Sequence, residues 1–236
     1  MIFKLDHLAL TTNDIEKDIV KLNEIGYTEI FSEKNLPNSE VKKPYLFDYK
    51  PFHHITLLQR HGSFPIELIQ HSEECTLYQG YISPCQIIKN IGKESPVTIQ
   101  FIEADMHPCG VFPDEFQAIS LISSNLEFSA QFWSNFGFKL CRQGSHQAIL
   151  RYKEIYTKME YYIILNLGKS KEISFLDSYG LTCVAFVSDK IIEDRDKMKA
   201  EGLQVSAVGS LDVGGKRADF FFIVGPDHEL IEVLGF

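Results

Sequence analysis

The sequence predicts an α+β fold in which repeated βαβββ modules form paired, curved mixed sheets around a cleft, with the helices outside. The main observation is a motif of a short apolar strand, a helix and a closing glycine, which occurs three times in the 236 residues. In each copy nineteen positions separate a reference residue in the first strand from the glycine: His7 to Gly26, Ala118 to Gly137 and Cys183 to Gly202. Strand-like runs follow each glycine and complete the module. Because one such sheet leaves a face uncovered, modules are expected to pair and to enclose a cleft.

The predicted strands fall at corresponding places in the three copies. They are residues 7–10, 27–31, 54–58 and 66–70 in the first copy, residues 118–121, 138–140, 148–152 and 161–165 in the second, and residues 183–186, 203–205, 219–224 and 229–234 in the third. Each helix follows a polar residue that suits the N-cap position, which is Asn13, Ser124 or Asp189.

Residues 72–116 do not repeat this pattern. They predict a helix near residues 86–91, a strand at residues 97–102 and a connection at residues 107–114 that contains proline and glycine. We interpret them as a reduced module followed by a linker. The sequence therefore predicts an N-terminal domain of residues 1–114, with one full and one reduced module, and a C-terminal domain of residues 115–236 with two full modules.

The composition limits the partners and the location. Hydrophobic residues make up 44% and charged residues 23% of the chain, as in globular proteins. The net charge of −9 opposes binding to nucleic acid or to an anionic membrane surface. The five cysteines include no CxxC pair, which opposes a disulfide framework and a tetrathiolate zinc site, and the N-terminus lacks a signal-peptide pattern. We expect a cytoplasmic protein whose partner is a small molecule.

Glu232 is the acidic residue that most needs an explanation. It lies between Ile231 and Val233 on an apolar strand that follows the Pro226-Asp227 turn. A buried carboxylate is costly unless a cation pairs with it. A metal ion or a substrate could supply that cation, but a salt bridge to Lys216 or Arg217, or an edge position that faces water, would also explain the residue.

Two segments of the chain resemble the vicinal oxygen chelate superfamily, which includes glyoxalase I, methylmalonyl-CoA epimerase, extradiol dioxygenases and the fosfomycin and bleomycin resistance proteins. One is the strand from Asp6 to Leu10 with its helix and Gly26. The other is the hairpin from Gly214 to Glu232, whose turn is similar to the Pro-Asp-Gly turn of that family. The resemblance covers residues 5–71 and 117–236, and it implies the fold more specifically than it implies an activity.

The resemblance implies a divalent metal held by side chains of two paired modules. The first module supplies His7 and, by alignment of residues 67–70 with residues 229–232, Gln70, while the last module supplies Cys183 and Glu232. If the first module pairs with the last, these four side chains converge, whereas the middle module offers only Ala118 at the position of His7. The sequence leaves both pairings open. This ligand set suits Zn, Mn, Fe, Co or Ni, with a preference for Zn if the thiolate binds.

Two function hypotheses follow from the resemblance. The first is a glyoxalase-like or epimerase-like lyase or isomerase in which the metal polarises a substrate with vicinal oxygens and Glu232 acts as the base; this fits better than a ring-cleaving dioxygenase, because only one histidine is in place. The second is a metal-free protein that binds or sequesters a small molecule, as bleomycin resistance proteins do. His54 and Tyr162 are candidate substrate-binding residues, because His53/His54 and Tyr161/Tyr162 each direct one side chain to each face of a strand. A homodimer is a further expectation, because the reduced module offers the first one little cover.

Overall fold

The computed structural model describes residues 4–72, 80–89, 99–103, 116–155, 157–169 and 175–236. Its α-helices are α1 (Ile15–Glu24), α2 (Leu126–Ser134) and α3 (Ile191–Ala200), and a 3-10 helix covers Glu40–Tyr45. Its strands are β1 (Lys4–Thr11), β2 (Thr28–Pro37), β3 (Phe52–Gln59), β4 (Ile66–Gln70), β5 (Ser83–Lys89), β6 (Ile99–Glu103), β7 (Ala118–Ser123), β8 (Lys139–Gln143), β9 (Gln147–Lys153), β10 (Glu160–Leu167), β11 (Gly180–Val187), β12 (Gln204–Val205), β13 (Gly209–Val213), β14 (Lys216–Val224) and β15 (Leu230–Gly235).

The three predicted modules begin as the sequence indicates, with helix starts shifted by one residue. The N-caps are Asp14, Asn125 and Lys190, each one position after the predicted residue. Asp14 and Asn125 accept hydrogen bonds from backbone N–H groups of the first turn, whereas Lys190 makes no such side-chain bond. The closing glycines at positions 26, 137 and 202 all have φ between 87° and 91°, the left-handed conformation in which a helix ends most easily at glycine.

The sheet order decides the pairing that the sequence left open. The large sheet runs β12-β14-β15-β11-β1-β4-β3-β2, with β13 paired to β14, so the first module pairs with the last. The two modules meet where β1 and β11 run antiparallel, with His7 opposite Ala185. The second sheet runs β6-β5-β7-β10-β9-β8 and joins the reduced module to the middle one. This arrangement of mixed sheets confirms the predicted fold class.

Residues 72–116 differ from the prediction in one element. The predicted helix near residues 86–91 is wrong over its described part, because the chain there forms strand β5, which pairs with β6 and with β7. Residues 90–91, the whole predicted connection at residues 107–114 and the first two residues of the predicted strand at 97–102 lie outside the described residues. Each sheet takes strands from both sides of residue 115, so the division at that residue does not coincide with the division into sheets.

Two apolar clusters occupy opposite faces of the large sheet. The larger cluster packs alternate residues of β1, such as Leu8 and Leu10, against α1 and against residues of the second sheet that include Ile163. The smaller cluster lies on the other face and includes Ala9, Cys183 and Phe220. All three helices contribute to the larger cluster, so the opposite face of the large sheet is left to form a cleft.

A homodimer was expected because the reduced module offers the first module little cover, but the first module pairs with the last module of the same chain. That reason therefore no longer applies, and the homodimer stays a prediction. Among the described residues, the model has no helix of the length and hydrophobicity needed to cross a bilayer. The cytoplasmic location stays a prediction as well.

Candidate metal centre

Three side chains that can bind a metal converge on the cleft face of the large sheet. A ring nitrogen of His7 and a carboxylate oxygen from each of Glu67 and Glu232 all lie within 4.8 Å of one another. His7 and Glu232 are buried and Glu67 is half-buried. Each residue comes from a different strand, β1, β4 and β15, so the pairing of the first and last modules is what brings them together.

Asp6 orients the imidazole of His7. Its Oδ2 lies 2.8 Å from His7 Nδ1, so Nδ1–H donates to the carboxylate and Nε2 faces the trio. His7 Nε2 is buried and makes no hydrogen bond with the described residues, although Glu67 Oε2 lies 3.5 Å away. A carboxylate behind the imidazole is the arrangement that fixes the tautomer of metal-binding histidines. The orphaned nitrogen and the two carboxylates therefore fit a divalent cation such as Zn, Mn, Fe, Co or Ni.

The three groups perturb each other's ionisation. Burial opposes the charged form of His7, but the charge of Glu67 and the hydrogen bond that Nδ1–H donates to Asp6 raise the pKa of His7 well above its ordinary value. Burial likewise disfavours the charged form of Glu67, yet the charge of His7, 3.5 Å away, lowers the pKa of Glu67. For Glu232, burial raises the pKa, the nearby Lys42 opposes that rise, and the charge of Glu67 adds to it. The environments of the two carboxylates thus move their pKa values in opposite directions.

Gln70 does not join the trio, and Glu67 takes the place that the alignment gave to Gln70. Gln70 Oε1 accepts a hydrogen bond from Ile15 N at 3.1 Å, and its Nε2 donates to Asn13 O at 3.1 Å, on the helix side of the sheet. Side chains three positions apart on a strand point to opposite faces, so an alignment error of three residues exchanges one face for the other.

The strand registers show that Glu67 and Glu232 occupy equivalent positions. Ala9 pairs with Glu67 in the first module, and Ala185 pairs with Glu232 in the last. Ala9 and Ala185 each lie two positions after the reference residues His7 and Cys183, which makes the two pairs equivalent. The site therefore sits around an approximate two-fold axis between β1 and β11, where His7 faces Ala185 and Ala9 faces Cys183.

Cys183 occupies the fourth ligand position but stays outside the trio. Its side chain is buried in the apolar cluster of the cleft face, and its thiol contacts Val184 O at 3.8 Å. Burial and the charge of Glu232 raise the pKa of Cys183 well above its ordinary value.

The other predicted site residues lie elsewhere. His54 faces the helix side of β3, where its Nε2 lies 3.0 Å from Ser32 Oγ, and its neighbour His53 lines the cleft instead. Tyr162 lies on the second sheet and donates to Glu160 Oε2 at 2.8 Å, so it does not reach the trio. The salt bridges considered for Glu232 are absent among the described residues, since Arg217 pairs with Asp219 and Lys216 lines the cavity mouth without an ion pair.

The trio lies in a cavity of about 330 Å³. Most of its walls are apolar, and four further polar side chains line it, which are Asp6, Lys42, His53 and Lys216. Sequence reasoning missed Asp6, Glu67 and Lys42 as site residues. The signal that would have found Glu67 is the run Ile66-Glu67-Leu68, an acid inside an apolar strand like Ile231-Glu232-Val233.

The corresponding place in the second sheet has no ligand set. Ala118 matches His7 by the nineteen-residue spacing, and Ser120, two positions later, pairs with Ile164. Ala118 and Ile164 are fully buried in a small apolar cluster with Cys85 and Tyr162. Among the described residues of that sheet, Ala118 and Ile164 occupy the positions of His7 and Glu67, and neither side chain can bind a metal.

Comparison with solved structures supports the same architecture. Glyoxalase I from Zea mays superposes with a TM-score of 0.61 at 13% identity, covering 99% of this chain and 92% of the Zea mays chain. A mutant form of that enzyme gives 0.64, also at 13% identity and with the same coverage of both chains. The fold is that of glyoxalase I.

At 13% identity this match shows the fold alone, and that fold is the one that the resemblance implies. A bleomycin resistance determinant encoded on a transposon matches 50% of this chain and 94% of its own, at 17% identity and a TM-score of 0.36. No family model matches the sequence, and no curated protein matches it either. At 13% identity to glyoxalase I, the activity has to be argued from the residues of the trio.

Proposed function

We propose that the chain is a metal-dependent enzyme of the lyase or isomerase type that moves a proton next to a carbonyl of a small substrate with two neighbouring oxygens. The observation that carries the proposal is the convergence of His7, Glu67 and Glu232 within 4.8 Å in a partly apolar cavity. When bound there, a divalent cation would supply Lewis-acid stabilisation of the charge that develops on the substrate oxygen.

In this proposal, side chains of the protein orient the histidine, hold the cation and transfer the proton. Asp6 holds the imidazole of His7 with Nε2 free to bind, and Glu67 keeps its charge as a ligand, because His7 lowers its pKa. Glu232 is the base: burial raises its pKa, which makes its carboxylate a better proton acceptor. In the proposed reaction a Glu232 oxygen takes the proton from the carbon beside the carbonyl and returns it to the adjacent carbon. The apolar walls keep water away from the charged intermediate.

Metal binding provides the first test. Protein purified without chelators is analysed for metal, and the affinity for added Zn, Mn, Ni and Co is measured for wild type and for His7→Ala, Glu67→Ala and Glu232→Ala. Loss of one ligand is expected to weaken binding more than about 100-fold, beyond the effect of losing an outer partner. Gln70→Ala is the matched control, since Gln70 lies on the opposite face of the same strand. Metal binding that survives all three ligand substitutions, or is lost in the Gln70 variant, contradicts the assignment.

Proton transfer provides the second test. The CH₂ protons of 2-hydroxyacetophenone, which lie beside a carbonyl with a neighbouring hydroxyl, are followed by NMR in D₂O. We expect metal-loaded wild type to catalyse their exchange for deuterium and Glu232→Gln to retain metal but lose the exchange. Equal exchange rates in the two proteins would remove Glu232 from the role of base.

A metal-free binding protein is the second candidate, and the mostly apolar lining of the cavity favours it. In that case wild type binds none of the four metals with useful affinity, while small apolar ligands raise its melting temperature. Stoichiometric metal in the purified protein decides against this candidate.

A further inference from the structure

A lysine on the 3-10 helix faces the same cavity. Lys42 is 5% exposed, although lysine is rarely buried unless it is paired. Its Nζ lies 5.3 Å from the centroid of the Phe220 ring and forms no ion pair with a carboxylate among the described residues. The next residue, Lys43, behaves as a surface lysine and pairs with Glu40 at 2.5 Å.

The segment that carries Lys42 is fixed to the sheet. Leu176 N donates to Tyr45 O at 2.7 Å, and the carboxylate of Asp177 accepts hydrogen bonds from Phe47 N and Asp48 N, both at 2.8 Å. The ring of Tyr45 packs on Phe222 with centroids 5.0 Å apart. These contacts hold the 3-10 helix over the cleft, so the direction of Lys42 is set by the fold rather than by a mobile loop.

The charge of Lys42 reaches the candidate metal centre. It lowers the pKa of Glu67 and opposes the rise in the pKa of Glu232, yet both carboxylates lie beyond ion-pair distance. With a divalent cation in the trio, the three negative charges of Asp6, Glu67 and Glu232 are balanced by that cation and Lys42. With the exposed Lys216 also lining the cavity, these groups carry no net negative charge, and an anionic group placed beside Lys42 gains a charge-assisted contact without net repulsion.

The shape and lining of the rest of the cavity indicate what kind of ligand would fit it. The apolar part of the lining includes Ile55, Leu57, Leu211, Val213 and Phe220. The volume of about 330 Å³ is at the lower end of the range for ligand pockets, about 300–1,000 Å³. A molecule that fills it is small, largely apolar and charged at one end.

We propose that Lys42 is a specificity-determining residue that binds the carboxylate of a small, apolar-bodied substrate whose vicinal oxygens face His7, Glu67 and Glu232. The proposal rests on the function proposed above. Lys42 is the one buried ammonium among the described residues that line the cavity, whereas Lys216 is exposed. A single buried ammonium suits a carboxylate, whereas a phosphate dianion generally recruits several donors or an arginine fork. Methionine at this position keeps the unbranched shape of the side chain up to the ε position and removes the charged ammonium.

The test uses one ligand pair on four proteins. Suberic acid monohydroxamate carries two neighbouring oxygens, an apolar chain and a carboxylate, and its methyl ester lacks the charge. Calorimetry measures the binding of both to zinc-loaded wild type, Lys42→Met, Lys42→Arg and Lys43→Met. We expect wild type, the arginine variant and Lys43→Met to prefer the acid by about tenfold or more, and Lys42→Met to bind acid and ester equally. Lys42→Met should remain folded and hold stoichiometric zinc, because Lys42 is not one of the three proposed ligands.

Several outcomes overturn the proposal. These are equal binding of acid and ester by wild type, a preserved preference in Lys42→Met, failure of both compounds to bind wild type below millimolar concentration, or stronger competition by inorganic phosphate than by acetate. The same titrations with chelator-treated protein separate the two proposals. If the acid is preferred through Lys42 but binding does not depend on zinc, the proposed metal enzyme fails while the anion site stands. If binding depends on zinc but the acid is not preferred, the anion site fails while the proposed metal centre stands.

Discussion

Glu229 lies three residues before Glu232 in the turn that leads into β15, and it should make the stability of this protein fall as the pH rises. Its side chain is 1% exposed, with Oε2 accepting a hydrogen bond from Asp227 N at 2.8 Å. Oε1 is buried and has no hydrogen-bond partner among the described residues. Burial raises the pKa of Glu229 from 4.5 to about 7. The substitution Glu229→Gln keeps an acceptor for Asp227 N and removes the ionisation.

The magnitude follows from the linkage between proton binding and folding. Because the folded-state pKa is the higher one, the unfolded chain loses this proton first, and unfolding releases a proton between pH 4.5 and about 7. The contribution of Glu229 is fully favourable below pH 4.5 and is lost as the pH rises through 7. A difference of about 2.5 in pKa corresponds to about 3 kcal/mol in the free energy of unfolding.

Urea unfolding of wild type and Glu229→Gln at pH 4.5, 6, 7 and 8 measures this contribution. Relative to wild type, the variant should gain about 3 kcal/mol in the free energy of unfolding between pH 4.5 and pH 8. The control is Glu24→Gln, which changes an exposed carboxylate at the end of α1 and should show no such gain. Parallel pH profiles for wild type and Glu229→Gln would refute the argument from burial.

Three further substitutions test other parts of the structure. His71 is buried beside His53, and burial lowers the pKa of His71 to about 3. Its contribution to stability is therefore present above pH 6.5 and is lost as the pH falls. In urea unfolding between pH 6.5 and pH 5, the free energy of unfolding of His71→Phe should fall by about 2 kcal/mol less than that of wild type. Gly137→Ala and Gly202→Ala both force alanine to φ 87°, which costs about 1–2 kcal/mol. Only Gly137→Ala also places a Cβ 3.3 Å from Tyr152, so the melting temperature of Gly137→Ala should fall further than that of Gly202→Ala. Asp6→Asn removes the charge behind His7 and should weaken metal binding about 10–100-fold in competition with a chromophoric chelator.

The local features of the fold could be predicted from the sequence because they depend on short-range patterns. The nineteen-residue spacing located the first strand, the helix and the closing glycine of each module, and the glycines at positions 26, 137 and 202 have the left-handed conformation that ends a helix. The pattern failed at residues 86–89, where a strand forms although the sequence suggested a helix. A short apolar run fits either structure, and here pairing with β6 and β7 decides between them.

The candidate site could be predicted only in part, because its ligands come from distant strands. The family resemblance implies His7 and Glu232 as ligands, but their meeting depends on which modules pair, which is a property of the whole sheet. Gln70 was chosen because residues 67–69 and 229–231 share the tripeptide Glu-Leu-Ile. That match aligns a strand with a turn, since Glu229 precedes β15 whereas Glu67 lies inside β4. The alternation of faces along a strand is the stronger constraint, and it selects Glu67.

The asymmetry of the site gives the clearest argument about how it works. The approximate two-fold axis repeats the glutamate as Glu67 and Glu232, but it places a histidine on one side and Cys183 on the other. Cys183 lies outside the group of His7, Glu67 and Glu232, so three side chains converge and a fourth ligand position is left open. Catalytic metal sites keep such an open position for substrate, whereas structural sites close it. The same asymmetry separates the two glutamates electrostatically, since His7 lowers the pKa of Glu67 while burial raises that of Glu232. One carboxylate is thereby suited to hold a cation and the other to accept a proton.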